Sequence, residues 1–155
     1  MARREHALPT MSVIESSALA RNLGRRTDLT NRRVLLMVRD QDSAARYEHL
    51  FKLFGAKVIS VFSAAALFDE LRTGRPDALA CDLDIPDGAL HLIRRIRMRS
   101  RLEGGGTPAL AMTSAPAASA HTKALLAGFQ AYVEADPLDL LLAVARLLGD
   151  RAEPN

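Results

Sequence analysis

From Arg33 onward the chain alternates short apolar runs with segments of helical spacing, and this alternation restricts its architecture more than any other feature. "VLLMV", "KVISVF", "DALAC", "PALAM" and "AYV" read as strands. Between them "DSAARYEHLFKLFG", "AAALFDELRTG", "GALHLIRRIRMR" and "ASAHTKALLAG" read as helices, and "PLDLLLAVARLLG" closes the series with Pro137 at its start. Asp42 or Ser43 is the expected cap of the first helix, Ser63 of the second and Asp87 of the third. A helix between successive strands demands parallel crossovers, so the chain predicts an α/β fold, a doubly wound parallel sheet with helices on both faces. Chemistry in such a sheet gathers beyond the carboxyl ends of the strands, here residues 38–42, 82–88, 113–115 and 134–137.

The 155 residues suffice for one domain and a short appendage. The expected division is an extension over 1–32, a domain over 33–149 and a tail over 150–155. Within the extension, Ser12 and Glu15 form a capping-box pattern, and Ile14, Ala18, Leu19 and Leu23 form a narrow apolar stripe ending at Gly24. An extra N-terminal helix is expected there, followed by "RRTDLTNRR" as a polar linker. Residues 1–33 carry seven Lys or Arg and three Asp or Glu, so the formal excess of +3 belongs to this end. That excess is too small for a dedicated nucleic-acid binder and argues against nucleic acid as a partner. Cys81 is the one cysteine, which excludes an intrachain disulfide. The start lacks an unbroken apolar core for a signal sequence, and no run reaches the roughly 18 apolar residues of a span. A cytoplasmic protein with no membrane partner is the expectation.

"PDALACDLDIP", "PALAMTSA" and "AGFQAYV", in that order on five alternating units, resemble the receiver domain of two-component response regulators over about residues 33–149. The resemblance implies strand order 2-1-3-4-5 with five flanking helices. It also implies that Asp82 occupies the phosphoacceptor position, Thr113 the switch hydroxyl and Tyr132 the aromatic switch. The family's metal-binding acidic pair would fall at Val38 and Arg39, and its phosphoryl-binding lysine at Ala135, with Asp136 where a proline is usual. The loop after Pro86 is short, Gly88 following one residue later. Mg²⁺ requires several carboxylate oxygens, so one aspartate beside an arginine would hold it poorly. A guanidinium could stand in its place, pair with Asp82 and keep it ionised.

The resemblance then implies a degenerate, stand-alone pseudo-receiver: no cofactor, no enzymatic activity, and signalling through protein contacts. Its partner would be a histidine kinase or another signalling protein. A one-residue register shift would instead bring Asp40 beside Asp82 as a metal site, giving a regulator phosphorylated on Asp82 by a histidine kinase. "VLLMV" is apolar throughout, so alternation leaves the choice open. A third alternative, a haloacid-dehalogenase-like phosphatase with "DLD" as nucleophile motif and Thr113 and Lys123 in later roles, lacks a place for a final acidic motif.

Two surfaces invite partners. Arg94, Arg95, Arg97, Arg99 and Arg101 crowd the end of the third helix of the series, where cations complement the helix dipole or meet an acidic partner. "EGGGTP", which follows, reads as a flexible connector. In the last helix Leu138, Leu141, Leu142, Ala145 and Leu148 form one stripe, and Leu140, Val144 and Leu147 a second. A helix lying on a sheet needs one stripe, so the second predicts a contact with the N-terminal helix or with another subunit in a homodimer.

Overall fold

Between their ends the central strands are apolar because both faces of the sheet are covered. In the computed structural model, which describes residues 27–115 and 118–152, the strands are β1 (Arg33–Met37), β2 (Lys57–Val61), β3 (Ala78–Asp82), β4 (Ala109–Thr113) and β5 (Ala131–Glu134). The helices are α1 (Gln41–Leu53), α2 (Ala64–Thr73), α3 (Ala89–Arg97), α4 (Ala118–Ala127) and α5 (Pro137–Ala152), and a 3₁₀ turn spans Arg101–Glu103. All pairings are parallel, in the order β2-β1-β3-β4-β5. Val34, Leu36, Ala80, Leu110 and Met112 meet α1 and α5 on one face, while Leu35, Met37, Leu79, Cys81 and Ala111 meet α2, α3 and α4 on the other. No helix among the described residues is long and apolar enough to cross a membrane.

Register carries β3 to Asp82 and β4 to Thr113, one residue beyond the apolar runs. Asp82 stands opposite Met112, the Leu83 N–H donates to Met112 O at 2.8 Å, and Thr113 stands opposite Glu134. The polar residue at each strand end is therefore fixed by the ladder.

Helix starts differ from the sequence expectation in two places. Asp40, not Asp42 or Ser43, caps α1, accepting the Ser43 N–H at 2.9 Å. Asp87 does not cap its own helix: Gly88 holds the cap position before α3 and offers no side-chain bond, and the Asp87 carboxylate accepts the Ala64 N–H of α2 at 2.9 Å. Ser63 caps α2 through the Ala66 N–H. Asp136, at the usual proline position, caps α5 through the Asp139 N–H at 3.0 Å.

The linker expectation also changes. Thr27 and Leu29 are buried, the Leu29 N–H donates to Phe54 O at 3.0 Å, and Lys57 N–H donates to Arg32 O at 2.8 Å. The folded unit thus includes part of what was assigned to the extension, because one leucine in a polar stretch fills the gap beneath α1. Gly55 allows this approach: its φ is +92°, and a Cβ there would stand 2.8 Å from Thr30 Oγ1. The N-terminal helix expected over 12–24 lies outside the described residues.

The second stripe of α5 needs correction as well. Leu140 and Val144 are completely buried, and Leu147 is half-buried against the same core. They are not a docking surface, because α5 sits in the angle between the sheet and α1 and buries both stripes there. Leu142, assigned to the inner stripe, is the leucine left 39% exposed.

Candidate functional site

At the carboxyl end of the sheet, β1, β3, β4 and β5 deliver the side chains singled out above. Asp82 ends β3 as a buried acid. One carboxylate oxygen accepts the Asp84 N–H at 2.8 Å, and the other lies 3.4 Å from Arg39 Nε. Arg39 is half exposed, so water shares its charge. Val38, the preceding residue, points into the core on the α1 and α5 side and is 1% exposed.

Burial holds the Asp82 carboxyl above the ordinary carboxylate range. The Asp84 N–H pulls it down, the Asp84 charge pushes it up, and Arg39 contributes a smaller downward pull. Burial is thus the largest influence on this carboxyl, and the Arg39 guanidinium, whose charge is shared with water, opposes it. Cys81, immediately before, is buried, and burial pushes its thiol far above the usual range. A thiolate role has no support there.

Thr113 is buried at the end of β4, and its hydroxyl oxygen accepts the Ala115 N–H at 3.1 Å. Ala135 donates its N–H to Thr113 O at 2.7 Å, and its methyl cannot do the work of a lysine. Tyr132 is half-buried on β5 and stacks on His121 of α4, ring centroids 5.0 Å apart and planes 10° from parallel. His121 escaped the sequence reading because the contact joins separate elements and follows no local spacing. Lys123 is exposed on α4.

A Mg²⁺ site at this sheet edge would have to be built from Asp82 and Asp40. A hard divalent ion of this size needs near-octahedral oxygen ligation and repays its dehydration through carboxylates. Asp82 already meets an N–H on one oxygen and a guanidinium on the other. The Asp40 carboxylate is engaged at the start of α1, and its exposed acid lies below the ordinary range because the Ser43 N–H stabilises the anion. Among the described residues, no group of three or more His, Cys, Asp or Glu side chains is arranged to hold a metal.

The arginine cluster separates into different roles. Arg97 is a strut: it donates to Gly128 O at 2.9 Å, Gly105 O at 3.0 Å, Thr107 O at 2.7 Å and Gln130 Oε1 at 2.9 Å. It does not belong to an interaction surface, and it binds the "EGGGTP" stretch that read as a free connector. Arg94 and Arg95 remain exposed.

No protein-family model and no curated protein matches the chain. Solved structures do. A response regulator from Chloroflexus aurantiacus aligns with a TM-score of 0.70 and 24% identity over 77% of this chain and 99% of its own. A LuxR-family two-component response regulator from Aurantimonas aligns at 0.69 and 25%, over 78% and 87%. The receiver domain of a sensor histidine kinase from Pseudomonas aeruginosa, solved with a magnesium ion coordinated in its active-site cleft, aligns at 0.68 and 20%, over 77% and 99%. The chain has the fold of a response-regulator receiver domain.

Proposed function

We propose that this domain is a pseudo-receiver of two-component signalling, which acts by docking to a histidine kinase or another signalling protein and performs no Mg²⁺-dependent phosphoryl chemistry. The observation that carries this reading is the Arg39 guanidinium on the free oxygen of Asp82. Phosphoryl transfer to a carboxylate requires cations that neutralise the incoming oxygens and a nucleophile that is ionised and open. Here the remaining acid nearby caps a helix, an alanine stands at the lysine position, and the buried Asp82 has one oxygen on the Asp84 N–H and the other on Arg39. The fold survives as a platform, with an ion pair in place of the reaction.

One observation favours a second reading, phosphorylation of Asp82 by a histidine kinase: Asp82 and Thr113 stand at the ends of neighbouring strands, where that chemistry would use them. Incubation with Mg²⁺ and acetyl phosphate, read by intact mass, separates the two. The docking reading expects no phosphoryl adduct. An adduct that disappears in Asp82→Asn would overturn it in favour of the second.

A further inference from the structure

We infer that the end of α3 and the 3₁₀ turn after it form a docking patch for an acidic, amphipathic segment of a partner protein. The patch lies away from Asp82, because α3 starts at the carboxyl end of β3 and runs back to the opposite end of the sheet. Met98 is 85% exposed and Leu102 77% exposed, among the largest apolar exposures of the described residues. Arg94, Arg95, Arg99 and Arg101 flank them in the sequence, and among the described residues none forms an ion pair with a carboxylate within 4 Å. Glu103 is the one acid in the stretch 94–106.

Two of these cations are preset. The Arg95 guanidinium carbon lies 4.4 Å from the centre of the Phe68 ring, and that of Arg99 lies 5.1 Å from it. Arg99 Nε also donates to Glu103 O at 3.1 Å. Stacking on a ring desolvates one face of a guanidinium and limits its rotation, so less entropy is lost when it binds a carboxylate. Arg97 fixes the base of the patch through its bonds to Gly105, Thr107 and Gly128.

Charge complementarity selects an acidic occupant, and the rest selects a protein. A lipid surface is served equally by flexible lysines, yet every cation here is an arginine, whose planar fork matches a carboxylate in two-point contact. A nucleic-acid backbone offers nothing apolar to Met98 and Leu102. Arginine and methionine are enriched at protein interfaces, and methionine adapts to irregular apolar partners. The inference rests on the docking reading in taking a protein as partner, but it does not depend on the state of Asp82. A phosphoryl adduct would overturn the proposed lack of phosphorylation alone; peptides indifferent to the patch would overturn the patch alone.

The test uses two fluorescent helical peptides of equal negative charge at physiological salt, one with glutamates flanking a leucine face and the other with serines replacing the leucines. Anisotropy should show the leucine peptide binding about tenfold tighter, a difference that Met98→Ser with Leu102→Ser removes. Arg95→Lys with Arg99→Lys keeps the charge, loses the planar forks and should weaken binding about fivefold. Circular dichroism should be the same for all variants, whose changes are at the surface. Equal binding of the two peptides, or binding unaffected by the paired substitutions, overturns the inference. Patch-dependent binding to phosphatidylglycerol vesicles or duplex DNA in place of the peptide, or patch-dependent self-association in sedimentation, overturns it in favour of that other occupant.

Discussion

The two ends of the sheet each use an arginine, and to opposite effect. At the amino end, Arg97 threads between α3, the 104–107 loop and the start of β5, and spends its guanidinium on carbonyl oxygens and the Gln130 amide. At the carboxyl end, Arg39 is half exposed and makes a 3.4 Å contact with Asp82. A cation that satisfies several backbone acceptors is a structural element, whereas one that shares its charge with water leaves its partner only partly compensated. Stability should therefore reside at the amino end, and the carboxyl end should tolerate change.

The largest expected effect is that of Arg97→Ala. Charged hydrogen bonds are lost and carbonyls are left unpaired, so the folded state should lose about 3–4 kcal/mol in urea unfolding. Arg97→Lys should recover less than half, since one ammonium cannot span those acceptors; full recovery would show that charge alone matters. Leu29→Ala, at the same end, should cost about 2–3 kcal/mol by leaving a cavity under α1. A negligible loss would return residues 27–32 to the status of a linker.

Arg39→Ala should cost only about 1 kcal/mol at pH 7, because half of that side chain is in water. A loss rivalling that of Arg97→Ala would erase the contrast between the ends.

The smallest effect concerns Asp82 and has a defined sign. Its folded value is raised, so the fold prefers the protonated acid. The associated stability is complete below the unfolded value of about 4 and is lost as pH rises through the folded value. Asp82→Asn stays neutral at every pH and retains an oxygen for the Asp84 N–H. It should raise stability at pH 7 by less than about 1 kcal/mol, with the gain shrinking toward pH 4 in parallel melts. A destabilised variant at pH 7 would mean that Arg39 outweighs burial.

Most of the architecture was legible because it rests on local signals. Apolar runs of strand length, separated by helical spacing, leave few ways to bury every face, and the polar residue ending each run marks the working edge. Asp82 and Thr113 were found in this way, whereas Tyr132, inside its strand, was marked only by the family resemblance. Capping was less legible: Asp42 and Ser43 were the expected caps, but Asp40 can serve equally by its chemistry, and the choice depends on where β1 stops pairing. Asp87 was misassigned because its carboxylate serves α2, a neighbour in space and not in sequence.

The sequence by itself determined the doubly wound order of elements, the acid at the end of β3 and the lack of a lysine three residues after Tyr132. Only the tertiary structure decided that Arg39 meets Asp82 while Asp40 caps α1, that Arg97 is a strut, and that Leu140 and Val144 lie in the core. The physical reason is the same in each case. Periodicity along a chain reports how many faces an element buries, but not which neighbour covers them; an all-apolar strand such as "VLLMV" carries no alternation from which its last side chains could be oriented.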